Sequence, residues 1–290
     1  MKRVINVIAF MAVCVALNAQ HFIGVSVDGK FAFQPDDIEQ TAPGIGGGAQ
    51  VGFVYEYQYG NFVLNTGVAA AYTATSQLLD SVHAAFLVND TRGIPVSFNG
   101  IIENRRDIAQ QFHAKIPFLF GAEWGKFYIM GGAIFDMSFI AWTSSKCELY
   151  TEGDYLGRYY DVFRYMPNHG YHDFEPHKNK GTLRVNPDLR FSAEIGASFI
   201  KSKLGNERKL KLGLFIEYGV IDAYNSDRDK DLYEFGVKNH AMTLDLNHIY
   251  SSNAATGVVR NVEFGIRGQI LFQVGGRSFN SSCNCFRLWL

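Results

Sequence analysis

The sequence predicts an all-β fold, namely an eight-stranded antiparallel transmembrane up-and-down β-barrel with four long extracellular loops and short periplasmic turns. Eight segments alternate apolar with polar residues, the pattern of strands that have one apolar face. Their connections alternate between short and long, as in outer-membrane barrels. A short basic start followed by an apolar run at the beginning of the chain has the character of an export signal.

The clearest pair of strands lies between Ala109 and Trp142, around a tight turn at Trp124-Gly125. In the first arm, every second residue from Phe112 to Ala122 is apolar. The second arm repeats the alternation, and both arms are much longer than the about 5–6 residues of a typical globular strand. Such lengths are expected where a sheet crosses a thick layer.

The remaining strands follow the same rule. The fourth and fifth strands share Ala109–Trp142, and the other six are predicted at His21–Asp28, Gly46–Tyr59, Phe62–Thr73, Asp188–Lys201, Lys209–Ile221 and Val258–Val274. The long connections are Lys30–Ile45, Ala74–Asp107, Thr143–Pro187 and Asp222–Gly257. Alternation alone does not say which face points inward. The strand lengths, the loop asymmetry and the export signal together favour apolar faces that contact lipid.

Composition and the chain ends define the expected organisation. The chain has 290 residues and a net charge of -1, which gives no support for nucleic-acid binding, so no nucleic-acid partner is predicted. Residues 1–19 are predicted to be a signal peptide, residues 20–274 an outer-membrane β-barrel, and residues 275–290 a C-terminal periplasmic tail. The expected location is a bacterial outer membrane, with outer-membrane lipid as the first partner.

Aromatic residues on the apolar faces fall near the two ends of the predicted strands. Those near the short turns are Tyr57, Tyr59, Phe62, Trp124, Phe127, Phe199 and Phe272, and those near the long loops are Tyr72, Phe112, Phe139, Phe191 and Tyr218. Two aromatic girdles of this kind are expected at the two interfaces of a membrane.

The opposite faces carry a predicted lumen charge network. Its members are Glu56, Lys115, Asp136, Arg190, Glu194, Lys209, Lys211, Glu217, Glu263 and Arg267. The interior of an eight-stranded barrel is only wide enough for side chains to fill it, so opposite charges must pair there. The network is predicted to be a structural plug of ion pairs, with a narrow polar conduit or a gate as the alternative.

The central hairpin also resembles a known family. Its Ile-Pro apolar run, turn and Tyr-x-x-Gly-Gly pattern, at Ile116, Pro117, Tyr128, Gly131 and Gly132, is similar to the PorT-like outer-membrane β-barrel domain family of Bacteroidota. The later segments LRFSAEIGASFI, LKLGLFIEYGVID and VEFGIRGQILFQ resemble it too, and the chain departs from it by the C-terminal extension GGRSFNSSCNCFRLWL. The resemblance implies a barrel in the outer membrane. Some members resemble components that help secretion, and no catalytic motif can be transferred.

The third long connection is rich in tyrosine. Tyr155, Tyr159, Tyr160, Tyr165 and Tyr171 form a possible recognition surface for a glycan or a partner protein, because tyrosine gives large and rigid contact area. The alternative is a loop that packs on itself above the barrel.

The same connection carries metal-binding residue types at His169, His172, Asp173, Glu175 and His177, but their spacing matches no closed zinc motif. Neither a metal site nor a cofactor is therefore predicted.

Catalytic groups are sparse. In the predicted register, His113, Asp136 and Ser138 lie near one another, but Ser138 and Asp136 are two residues apart on one strand, which suits a structural polar cluster better than a triad. The leading hypothesis is a non-enzymatic outer-membrane barrel whose long loops serve recognition or assembly with a surface or periplasmic protein. The alternatives are an accessory subunit of a secretion machine, a small channel, and an enzyme active at the barrel rim.

Overall fold

The computed structural model describes residues 19–35, 41–89, 92–155, 162–164, 166, 173–203, 206–224, 231–238, 241–249, 252 and 258–275. In these ranges the strands are β1 (Gln20–Phe33), β2 (Thr41–Tyr59), β3 (Phe62–Asn89), β4 (Pro95–Trp124), β5 (Phe127–Asp154), β6 (Asp173–Thr182), β7 (Asp188–Lys203), β8 (Asn206–Gly219), β9 (Tyr233–Lys238), β10 (Ala241–Leu246) and β11 (Val262–Gly275). No helix among the described residues is long and apolar enough to span a membrane.

Eight of these strands form one closed antiparallel ring. The order around the ring is β1, β2, β3, β4, β5, β7, β8 and β11, and β11 pairs with β1 from His21 to Phe33 to close it. Every strand of the wall is therefore hydrogen-bonded to a neighbouring strand on each side, so the ring has no exposed sheet edge. The predicted eight-stranded up-and-down barrel is confirmed.

The two faces of the wall have opposite character. Inward side chains such as Lys115 and Glu217 are 1% and 0% exposed, whereas the outward Phe118 and Leu214 are 56% and 61% exposed. On β5 the apolar outer face runs from Phe127 to Phe139, which is ~41 Å along the strand at ~3.4 Å per residue, or ~30 Å in height at the usual strand tilt. The barrel thus carries a tall apolar belt on its outside and charge on its inside.

Tight turns join the strands at one end of the barrel, as predicted. Gly60 and Gly125 occupy these turns with φ angles of 59° and 62°, a left-handed conformation that glycine adopts without steric cost. The third turn joins Lys203 of β7 to Asn206 of β8, which are register partners. These three turns mark the end of the barrel that we call the turn end, and the other end is the loop end.

Several predicted strand limits are wrong. β1 continues to Phe33 rather than stopping at Asp28, because the alternation of buried and exposed residues persists to its end. β2 begins at Thr41 within a connection predicted to be a loop. The last two barrel strands are shorter at the loop end, since β8 ends at Gly219 and β11 begins at Val262.

The largest correction concerns the predicted loops Ala74–Asp107 and Thr143–Pro187. Their described parts are mostly strand, because β3 and β4 pair with each other as far as Asn89 and Pro95, and β5 pairs with β4 as far as Asp154. β6 then pairs with β5 above the barrel. We call the extension formed by residues 75–89, 95–110, 141–154 and β6 the outer sheet.

The last long connection folds over the loop end of the lumen. Its described residues between 220 and 261, which we call the cap, include the hairpin β9–β10 and five buried apolar side chains. These are Ala223, Tyr224, Leu232, Ile249 and Val259, and they cluster with Leu79, Ala109 and Ala141 of the outer sheet and with Leu183, which directly follows β6. The cap is therefore anchored by an apolar core of its own at the mouth of the barrel.

Candidate functional site

All ten residues of the predicted charge network lie in the lumen, and none is more than 4% exposed. They come from six of the eight barrel strands, so their placement depends on closure of the whole ring. Buried charges are tolerated only when they are paired and hydrogen-bonded. The pairing falls into three groups, which follow one another along the barrel.

The first group is centred on Glu263 of β11. Its carboxylate oxygens accept from Lys30 Nζ at 2.8 Å and Lys115 Nζ at 2.6 Å, and lie 2.6 Å from Arg190 Nη1. Arg190 also pairs with Asp136, at 2.5 Å. One carboxylate therefore joins cations that come from three other strands of the wall.

The second group is centred on Arg267, whose guanidinium reaches three strands. It pairs with Asp28 at 2.9 Å, Glu194 at 2.7 Å and Glu217 at 3.1 Å. Glu217 also accepts from Lys115 at 2.5 Å, which links this group to the first. The planar fork of an arginine suits such simultaneous pairing.

The third group fills the turn end. Lys209 and Lys211 of β8 both pair with Glu56, and Lys211 also pairs with Glu123 at 3.1 Å. Lys211 Nζ lies 4.8 Å from the ring centre of Tyr128, a cation–π contact. Ion pairs and aromatic rings together occupy this end of the lumen.

The sequence patterns missed five charged members of the lumen among the described residues. These are Asp28, Lys30, Glu123, Asp188 and Glu207, each 5% exposed or less. They sit at or just beyond the ends of the predicted strands. The signal that would have found Asp28 and Lys30 is the continued alternation of polar residues from Ser26, had the first strand been extended to Phe33.

The predicted polar group around His113 forms only in part. His113 Nδ1 lies 2.7 Å from Asp136, while Nε2 lies 2.8 Å from the hydroxyl of Thr73 rather than near that of Ser138. The order Thr–His–Asp has the connectivity of a nucleophile, a base and an orienting group. However, Thr73, His113 and Asp136 are 1%, 2% and 3% exposed, and Arg190 holds the Asp136 carboxylate. The geometry is that of an enclosed structural chain of polar groups.

Above the lumen, Arg105 of the outer sheet holds the cap. Its guanidinium donates to both carboxylate oxygens of Asp107 at 3.0 and 2.9 Å, and to the carbonyl oxygens of Leu232 and Asn247. Asp107 in turn accepts from the backbone N–H of Ile249 at 2.9 Å. A single buried ion pair thus fixes two separate stretches of the cap.

Two ionisable groups near this latch have shifted pKa values. Burial, the largest influence, lowers the pKa of His248 to about 4, against the opposing charge of Asp107. Burial would raise the pKa of Asp107, but Arg105 and His248 outweigh it and hold that pKa below its usual value. The cap is therefore built for a neutral His248 and an ionised Asp107 at neutral pH.

A polar chain lies beneath the cap. Gln34, just after β1, donates to Tyr224 Oη at 2.8 Å and to Asn261 at 2.7 Å, and it accepts from Thr75 at 2.9 Å. Burial raises the pKa of Tyr224 to about 12, so its hydroxyl stays protonated. This chain ties the cap to β3 on the opposite side of the mouth.

Most of the predicted tyrosine surface lies outside the described residues, namely Tyr159, Tyr160, Tyr165 and Tyr171. Tyr155 is described, and its ring packs edge-on against Phe163 at 5.3 Å beside the buried Val96 and Phe98. That ring therefore takes part in packing against the outer sheet. The side chains of His169, His172, Asp173, Glu175 and His177 are also outside the described set, within which no group of three or more potential metal ligands occurs.

No protein-family model and no curated protein matches the chain. Among solved structures it is similar to Neisserial surface protein A, with 10% identity, a TM-score of 0.26, and coverage of 86% of this chain and 96% of the other. It is also similar to the outer membrane protease OmpT from Escherichia coli, with 7% identity, a TM-score of 0.27, and coverage of 89% and 97%. At these TM-scores neither likeness bears on the activity of this chain. Its class is defined by its own ring of strands, which is an eight-stranded barrel with a charge-filled lumen.

Proposed function

We propose that this chain is an outer-membrane β-barrel protein that conducts no ions, carries out no catalysis, and presents its outer sheet and cap to other surface proteins. The observation that carries the proposal is the barrel wall, whose apolar side chains point outward and whose charged side chains point into the lumen. Outward residues such as Phe53, Phe127 and Leu214 are 74%, 72% and 61% exposed, and they recur on every barrel strand. A face of this kind and height needs lipid rather than water as its solvent.

The lumen supports a structural role. Ion pairs bridge the wall from the turn end to the loop end, and the cap lies across the mouth. Water or ions could pass only after several buried pairs separated, and each separation would leave an uncompensated charge. The enclosed Thr73–His113–Asp136 chain offers no place for a substrate, which favours a non-enzymatic protein.

The outer sheet supports a role in recognition. β4 continues from Gln111 to Pro95 beyond the belt, ~54 Å along the strand at ~3.4 Å per residue. Its strands are hydrogen-bonded to one another and its base is packed against the cap, so the surface is preorganised. An accessory subunit of a secretion machine would also bind its partners through this projecting surface. The proposed role in assembly with a surface protein therefore includes that alternative.

The test is affinity purification of the tagged protein from native membranes. The matched variant deletes residues 84–100 and joins the register partners His83 and Ile101 through an Asn-Gly turn. We expect a stoichiometric partner with the unaltered protein and its loss with the variant. Both proteins should retain the heat-modifiable gel mobility of a folded barrel, because the wall is unchanged.

Three results would overturn the proposal. A monomer that stays soluble without detergent would exclude the membrane location. Equal partner recovery by both proteins, or no partner with either, would exclude recognition through the outer sheet. Discrete current steps across a planar bilayer would exclude a closed lumen.

A further inference from the structure

A row of basic side chains crosses the outer face of the outer sheet. Arg106 of β4 is the register partner of Lys146 of β5, and Lys146 is the register partner of Lys178 of β6. Lys180 lies two residues nearer the barrel on β6, opposite Ser144. All four basic side chains are exposed. Since neighbouring strands lie ~4.8 Å apart, the row concentrates three like charges within ~10 Å.

This arrangement is unfavourable unless something outside the chain neutralises it. Like charges directly opposite each other on neighbouring strands destabilise a sheet. The described part of the chain supplies no ion pair to any of the four. Among the described side chains, the nearest carboxylates on this face are those of Asp80, Glu103 and Glu148. Asp80 lies two residues from Leu78, which is the register partner of Arg106 on β3. Glu103 and Glu148 oppose each other in the next row, where Asn104 donates to Glu148 at 3.1 Å.

The height of the row suggests the anion. Tyr72, Phe112 and Trp142 form the aromatic contact at the loop end of the belt, with ring centres 5.1 and 5.8 Å apart. Aromatic residues of a barrel lie at the membrane interface. Lys146 follows Trp142 by four residues, which is ~13 Å along the strand and ~10 Å in height at the usual tilt. Lys180 lies between these levels, so the basic side chains span the headgroup layer.

We propose that Arg106, Lys146, Lys178 and Lys180 bind the phosphate groups of a phosphorylated glycolipid in the outer leaflet. This rests on the proposed location in an outer membrane. Arginine contacts phosphate through two parallel N–H donors, and each lysine adds a compact charge. The row is wide enough for two phosphates side by side, and the sugar portion of the glycolipid would lie against the outer sheet.

The experiment compares lipid retention by folded protein in nanodiscs. The test variant is Arg106→Gln/Lys146→Gln/Lys178→Gln. The control variant is Lys126→Gln/Lys201→Gln/Arg208→Gln, which removes the same charge from exposed positions at the turn end. The probes are a diphosphorylated lipid A and the same lipid after removal of both phosphates, and bound lipid is counted by native mass spectrometry.

We expect the unaltered protein and the control variant to retain the diphosphorylated lipid about 100-fold better than the test variant does. Each basic residue near an anionic surface contributes about fivefold to binding, and the test variant lacks three of them. Equal retention by the two variants, or equal retention of both lipids by the unaltered protein, would overturn the site. Displacement of the lipid by excess inorganic phosphate would show a site for free anions and would overturn the lipid assignment. Because only barrels with heat-modifiable mobility enter the comparison, failure here is distinguishable from failure of the proposed membrane location.

Discussion

Replacing Glu263 by glutamine tests whether the lumen network holds the barrel together. Glutamine keeps the shape of the side chain but removes the negative charge that Lys30, Lys115 and Arg190 share. Lys115 retains Glu217 and Arg190 retains Asp136. Lys30 has Glu263 as its sole ion-pair partner among the described residues, so one buried cation loses its counter-charge.

The expected cost follows from that one unpaired charge. Removing one partner of a buried ion pair destabilises a protein by about 3–5 kcal/mol, because the remaining charge stays desolvated. The double variant Lys30→Met/Glu263→Gln removes that charge and should recover part of the loss. The coupling between the two sites should therefore be well above the error of a double-mutant cycle.

The assay is denaturant unfolding in lipid vesicles, followed by heat-modifiable gel mobility and tryptophan fluorescence. Glu152→Gln is the matched control, since its pair with Arg164 lies at the surface and Arg164 is 65% exposed. That control should change the free energy of unfolding by less than about 1 kcal/mol. A loss below about 1 kcal/mol for Glu263→Gln, or no recovery in the double variant, would refute the reasoning.

Three further predictions concern the cap and the lumen packing. Arg105→Ala should speed hydrogen exchange of the cap amides by about 30-fold or more, because two carbonyls and a buried carboxylate lose their donor. Burial keeps the pKa of His248 near 4 in the folded state, so the unfolded chain takes up a proton first as the pH falls. The free energy that stabilises the cap should therefore be complete above pH ~6.5 and fall by about 3 kcal/mol as the pH drops toward 4. Amide hydrogen exchange measured against pH should show this dependence in the unaltered protein and its loss in His248→Gln. Gly213→Ala should reduce the folded fraction on gels, since the new Cβ would lie 2.3 Å from the Tyr128 hydroxyl, whereas Gly29→Ala, with no atom within 4 Å of its Cβ, should not.

The barrel wall could be predicted from sequence because lipid enforces a simple rule on it. Every outward position between Phe112 and Ala122 must be apolar, and the inward positions are free to carry charge. The tight turns were equally predictable, since Gly60 and Gly125 supply the left-handed backbone conformation that these connections need. Length and alternation were sufficient there.

The outer sheet was missed because its alternation is interrupted. Asn104 has a φ of 50° and lies in a bulge between Glu103 and Arg106. The inward positions are even-numbered before it, as at Ile102, and odd-numbered after it, as at Asp107. A bulge shifts the side-chain period by one residue, so a test for strict alternation fails across it.

The cap escaped prediction for a different reason. The contacts that fix it join residues 142 positions apart in sequence, such as Arg105 with Asn247 and Asp107 with Ile249. Their local sequences have no common pattern that would indicate such pairing. Only the closed ring brings these segments to the same mouth.

The position of Glu263 and Arg267 on β11 has a consequence for how the protein is made. β11 is the last barrel strand in the chain, and these two residues pair with side chains from β1, β4, β7 and β8. Until β11 docks against β1 and β8, Lys30 has no counter-ion, and Arg190 and Lys115 each lack one of their carboxylates. A half-built sheet would thus expose unneutralised charge to lipid. Insertion and ring closure should therefore occur as one concerted step, gated by arrival of the final strand.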